Sequence, residues 1–217
     1  MALSKKTASI LVIFALLALV MVSGCFTMNV HATANPDGSV SDYRVELTTT
    51  SFVYNILKQN ARDEGYAGVR DYVLARSDDR AMSYEEVWNE DSVTMKIAGT
   101  EKIVPDGTNW TLAKDSGFLI YMDRRFAGAE GMGESDKITD AMLGSCSIHY
   151  YLEMPGKIVD SNANTVNEKT AEWHLTGSEV FKTIIYAKSE LPASPLPGFG
   201  AVLAVLALGL LVWRRHP

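Results

Sequence analysis

Cys146 and His149 invite a reading as nucleophile and base, because a thiol attacks as its thiolate and needs a base within reach. They fall in an alternating segment, Cys146–Glu153, whose period of two sends positions 146 and 149 to opposite faces of a strand. Cys146 shares a face with Ile148, Tyr150 and Leu152 and reads as a small buried apolar residue; His149 shares the other face with Tyr151 and Glu153. His174, between Trp173 and Leu175, points away from their buried side, and His31 alternates with Val30 in the same way. With His216 in the C-terminal tail these are all the histidines, and none makes an HxH or HExxH spacing, so no metal site is expected. Asp160, Asn162 and Asn164 match the opening of a calcium loop, but the sixth position is Thr165 where glycine is needed and the twelfth is Ala171 where a bidentate Glu is needed. The stretch reads instead as a turn whose Asn and Asp side chains bond the local backbone. Neither glycine-rich stretch, near 107 or at 128–133, is followed by Lys-Ser/Thr, so no phosphate loop and no cofactor is expected. Asn109-Trp110-Thr111 is the single N-x-S/T sequon, which makes Asn109 a candidate N-glycosylation acceptor on an exported chain.

The elements that must position these residues follow from periodicity. Phe26, Met28, Val30, Ala32 and Ala34 alternate with polar residues, Asn35-Pro36-Asp37-Gly38 is a turn, and Tyr43, Val45 and Leu47 alternate again, which predicts a β-hairpin with one buried face. Phe52/Ile56 and Val53/Leu57 then predict a helix with a stop at Gly65, and Val69, Tyr72, Val73 and Arg76 a second one ending near Ser77-Asp78-Asp79. Strands resume at Met82–Trp88 and Val93–Ile97, and again at Trp110–Leu112 and Phe118–Met122. Residues 127–136 read as a mobile loop, and Ile138, Ala141 and Met142 as a helical turn. Cys146–Glu153, Thr170–Leu175 and Phe181–Lys188 are three further strands. The fold class is α+β, a mostly antiparallel sheet with a helical hairpin inserted early.

Charge is distributed unevenly over the 217 residues, whose net charge is −6. Lys5 and Lys6 are the charged residues of 1–25, and Arg214 and Arg215 those of 195–217. All 26 acidic residues lie between, against the other 16 of the 20 basic ones, so this middle region stands at −10. An acidic domain argues against nucleic acid as partner, since phosphates call for clustered Lys and Arg.

Both ends are apolar. Lys5-Lys6, the apolar run Thr7–Val22 and then Ser23-Gly24-Cys25 predict a secretory leader over residues 1–24, with a retained membrane-spanning helix as the alternative. Val22-Ser23-Gly24-Cys25 resembles a lipobox, which implies cleavage by a lipoprotein signal peptidase and lipidation of Cys25. Residues 191–200, rich in Pro and Gly, form a spacer. Residues 201–217 are a hydrophobic helix with a basic tail. Phe199–Trp213 spans 15 residues, about 22 Å of helix, against a bilayer core of about 30 Å. Pro197-Gly198-Phe199, an apolar helix and terminal arginines are similar to the archaeal PGF-CTERM signal. That likeness implies recognition by an archaeosortase and removal of the tail; an ordinary C-terminal anchor is the alternative.

Within residues 25–190, Tyr150–Ala163 with its Met154-Pro155-Gly156-Lys157, then Thr170–Leu175 around Trp173, then Thr183–Glu190, resembles the LppM-like lipoprotein domain. The resemblance implies a domain associated with the cell envelope and offers lipid or glycolipid handling as its role. The reading is therefore a membrane-anchored, non-enzymatic domain on the outer face of the cytoplasmic membrane, binding envelope lipid, glycolipid or a surface partner. Its alternatives are a surface hydrolase built on acidic residues and a structural envelope component.

Overall fold

The computed structural model describes residues 26–76, 82–127 and 146–192. Among them, eleven strands and two α-helices follow in the order β1 (Phe26–Ala34), β2 (Val40–Thr50), α1 (Ser51–Asp63), α2 (Val69–Arg76), β3 (Met82–Trp88), β4 (Ser92–Gly99), β5 (Trp110–Asp115), β6 (Phe118–Asp123), β7 (Ser147–Glu153), β8 (Ile158–Ser161), β9 (Thr165–Asn167), β10 (Thr170–Thr176) and β11 (Ile185–Glu190). The class is α+β, as expected. The strands divide into two sheets, one of seven in the order β3-β4-β2-β1-β7-β10-β9 and one of four in the order β5-β6-β11-β8. Every pairing is antiparallel except β1 with β7. That parallel pair joins the first strand to one far along the chain, which local hairpin signals do not reveal.

The predicted hairpin turn closes at residues 35–38. Gly38 takes a φ of 93°, and the Asp37 carboxylate accepts from the Ser39 amide at 3.0 Å and its hydroxyl at 2.5 Å. Lys102 pairs with Asp37 at 2.9 Å, and these hydrogen bonds, the Lys102 one first, pull the Asp37 carboxyl well below its ordinary range. Further along the hairpin the register slips between His31 and Thr33. Asp42 and Tyr43 there oppose Ala32 alone, and Asp42 takes a φ of 50°. This bulge restores the phase of β2, so Val40 and Tyr43 both face inward although three positions separate them.

The Thr50 hydroxyl caps α1 by accepting from the Val53 amide at 3.3 Å. Val53, Tyr54, Leu57 and Ala61 form its buried face, and Val69, Tyr72 and Val73 that of α2. Both helices pack over the β2-β4-β3 side of the large sheet. Against its β1-β7-β10 side lies the small sheet, whose Leu119, Tyr121, Ile185 and Ala187 are buried in the same core as Tyr150 and Trp173, with Tyr121 meeting Tyr150 directly.

Two strand assignments change. The strand expected over Phe181–Lys188 starts at Ile185, because Gly177, at a φ of 58°, begins a 3-10 turn over Gly177–Phe181. The Asn-rich stretch carries two short strands, β8 and β9, on either side of Asn162-Ala163-Asn164. Among the described residues no helix is long and apolar enough to cross a membrane. The leader, the C-terminal helix, most of the glycine-rich loop and the turn at Ile138–Met142 lie outside them.

Candidate functional site

Alternation along β1, β7 and β10 sends every second side chain to the outer face of the large sheet, and register aligns those side chains into rungs. One rung runs Arg44–His31–Tyr151–Glu172 across β2, β1, β7 and β10; the next runs Glu46–Asn29–His149–His174. His31 stacks face to face on Tyr151, with ring centroids 4.6 Å apart and planes 10° from parallel. Tyr151 meets His174 edge-on at 6.3 Å. The Nδ1 atoms of His174 and His149 are 2.8 Å apart, so one ring donates and the other must accept through an unprotonated nitrogen. Glu172 lies 3.6 Å from His174 Nε2. Partial burial, and then the positive charge of Arg44, hold His31 below its ordinary pKa of 6.5 despite the opposing pull of Glu46. Around the first rung a shallow groove of about 290 Å³ opens, with Asp42, Arg44, Glu153 and Glu172 among its walls and the Tyr151 ring in its lining. The bulge at Asp42 sets that carboxylate in the wall. The groove thus offers a stacked ring pair, carboxylate acceptors and one guanidinium, a combination suited to a polar ligand with many hydroxyls.

On the opposite, inner face Tyr150 of β7 joins Trp110 of β5, Tyr121 and Asp123 of β6 and the following Arg125 in a buried polar network between the two sheets. The Trp110 indole donates to the Tyr121 hydroxyl at 2.8 Å, and the Tyr121 and Tyr150 hydroxyls share a short hydrogen bond. Tyr150 donates to Asp123 at 3.1 Å. Asp123 also accepts from the Arg125 amide at 3.0 Å and from two guanidinium nitrogens, Nε at 2.9 Å and Nη2 at 2.5 Å. The guanidinium lies 4.1 Å over the Trp110 ring and 5.2 Å over Tyr43. Burial works against the charge on Arg125, and the Asp123 carboxylate more than reverses it, so its pKa rises. Burial raises Tyr43, Tyr121 and Tyr150 above the ordinary tyrosine value. None of these hydroxyls is a base at neutral pH, and Asp123 and Arg125 are sealed from solvent. The network fastens the two sheets together and is not placed to meet a substrate.

No family model matches the chain. An uncharacterized protein of Archaeoglobus fulgidus is 45% identical over 212 residues, covering 94% of this chain and 96% of that protein. The chain belongs to that archaeal protein's family. Among solved structures, the folded domain of the Mycobacterium tuberculosis protein LppM aligns with 79% of this chain and 92% of its own, at 10% identity and a TM-score of 0.47.

In this family member the residues singled out by sequence do not converge. Cys25 and Pro197, Gly198 and Phe199 lie outside the described residues. Asn109 is half-buried in the loop before β5, where its carbonyl accepts from the Arg124 amide at 2.7 Å. Cys146 is buried on the inner side while His149 lies on the outer face, so the two are not a nucleophile–base pair. The Asn162 side chain is a connector, accepting from the Trp173 indole at 2.9 Å and donating to the Ile184 carbonyl at 2.7 Å. Among the described residues no three His, Cys, Asp or Glu side chains converge on a metal position. Sequence reasoning named His31, His149, Tyr151 and His174 as outward-facing but did not join them into one surface. Asp123 was overlooked, although an acidic residue at an inward position after Leu119 and Tyr121 is a visible break in the pattern.

Proposed function

We propose that the chain is an exported binding domain, tethered to the outer face of the cytoplasmic membrane through a lipid on Cys25, that recognises the polar headgroup of an envelope glycolipid in the groove beside Tyr151. In this reading a lipoprotein signal peptidase removes residues 1–24 and an archaeosortase reads Pro197-Gly198-Phe199. The observation that carries the binding role is the Arg44–His31–Tyr151–Glu172 rung, a stacked ring pair with a guanidinium at one end and a carboxylate at the other. The hydroxyls of a sugar can bond the flanking charges while its body packs over the edges of the stacked ring pair. The helix–sheet layer contributes buried packing from Val53, Leu57, Val93 and Met95, so lipid chains are not assigned to it. The test incubates the full chain with a membrane extract of its host and reads retained ligand by native mass spectrometry. Glycolipid should be retained, and Tyr151→Ala should lower retention at least tenfold with the fold unchanged. Equal retention by Tyr151→Ala would remove the groove from the account, and release of a cleaved product would favour a hydrolase.

A further inference from the structure

Phe26, the residue after Cys25, opens β1, and its rung crosses the large sheet as Phe26–Thr49–Val93–Trp88. Three strand spacings put Trp88 about 14 Å from the start of β1. Just past Thr49 the chain enters α1, whose first amide bonds the Asp91 carbonyl in the β3–β4 turn at 2.9 Å. Phe52 in that first turn is 68% exposed, and Trp88 is 51% exposed. They are the exposed large aromatic side chains among the described residues, and both stand at this end. The other large exposed apolar residues are valines placed elsewhere: Val104 follows the Ile103–Val40 bridge at the far end, Val159 lies on β8 and Val166 on β9.

We propose that this end of the domain rests on the bilayer surface, with the Phe52 and Trp88 rings seated among the lipid headgroups. The proposal rests on the reading of Cys25 as lipid anchor: Cys25 directly precedes Phe26 in the sequence, so no linker separates that cysteine from the first strand. Indole and phenyl rings favour the interface, where apolar surface is covered while polar edges stay wet. Glu90 and Asp91 in the adjoining turn are exposed, so this end suits zwitterionic headgroups and is repelled by anionic ones. The orientation also sharpens the groove's ligand. His31 lies five residues beyond Phe26, about 17 Å along the strand. The groove is thereby held above the bilayer surface, within reach of a protruding headgroup and out of reach of acyl chains. Leu191 leaves from the other end, since Glu190 bonds Lys157 just beyond the end of β7.

The test uses the full-length gene product purified from membranes, carrying Trp213→Phe, in phosphatidylcholine vesicles. Trp110 and Trp173 are buried, so aqueous iodide reads Trp88. Iodide quenching should be largely lost on reconstitution, brominated phosphatidylcholine should quench the same emission, and Trp88→Phe should abolish both effects. Replacing part of the phosphatidylcholine with phosphatidylglycerol should weaken the bromolipid quenching. The intact mass of the same sample reports separately on Cys25. Shielded Trp88 with an unmodified Cys25 would remove the anchor and keep the orientation. Trp88 still open to iodide, whatever the state of Cys25, would overturn the orientation.

Discussion

Asp123 and Glu86 are both carboxylates set among tyrosines on inner sheet faces, and they are satisfied in opposite ways. Asp123, beneath the small sheet, is fully buried and holds a bidentate Arg125 as well as the Tyr150 hydroxyl. Glu86, on edge strand β3 beneath α1, is only half-buried. It accepts from Tyr54 at 2.6 Å, Tyr84 at 2.8 Å and the Trp88 indole at 3.2 Å, all neutral donors. Burial, followed by these bonds to Glu86, raises both tyrosines above their ordinary pKa. The difference shows what sets the need for a counter-ion. A carboxylate sealed from water needs a cation as partner, whereas one at a sheet edge keeps enough solvent to be stable with hydrogen bonds alone.

Breaking the sealed pair should cost the domain most. Arg125→Met leaves Asp123 buried and uncompensated and should cost about 3–5 kcal/mol in denaturant unfolding. Adding Asp123→Leu should restore most of the loss, because the second change removes the stranded charge. A double variant as unstable as Arg125→Met would mean that cation packing over Trp110 and Tyr43, rather than the ion pair, holds the sheets. At the edge cluster Glu86→Gln keeps the acceptor oxygen and should cost about 1 kcal/mol or less. A loss matching that of Arg125→Met would erase the distinction between the two carboxylates.

The outer face adds a smaller, pH-dependent effect. His31 has a folded pKa below 6.5, so below that value the unfolded chain takes up its proton more readily than the folded one. Its contribution to stability is therefore full at neutral pH, declines as pH falls through 6.5 toward the lowered folded value, and levels off beneath it. Urea midpoints measured across that range should show a slope that His31→Gln reduces. The effect is small because the ring is exposed and the field of Arg44 is screened by solvent.

Much of this arrangement was legible as pattern. Alternation in Phe26–Ala34 and Cys146–Glu153 assigned the inner and outer residues correctly, and Val53/Leu57 marked the buried stripe of α1. Strand partnership was not legible. His31 meets Tyr151 only because β1 and β7 pair in parallel, and such a contact leaves no local mark. The bulge at Asp42 was hidden for a different reason: aspartate at a positive φ is unusual, and its role becomes clear only when the partner strand fixes the register. Phe52 and Ile56 were paired by helical spacing, yet Phe52 is exposed and Ile56 half-buried. Periodicity finds an apolar stripe without saying where the sheet beneath it ends.

The most direct measurement of the groove's role is histidine-ring and methionine-methyl NMR of the full chain, titrated with the oligosaccharide headgroup released from the host's envelope glycolipids. His31 and His174 report the outer face, whereas Met28 and Met95, at 2% and 1% exposure, report the inner layer. The His31 and His174 ring signals should move with a shared saturation curve, Tyr151→Ala should abolish the movement, and both methyls should stay in place. Unchanged histidine signals with moving Met28 and Met95 methyls would place binding inside the domain and contradict a role for the groove.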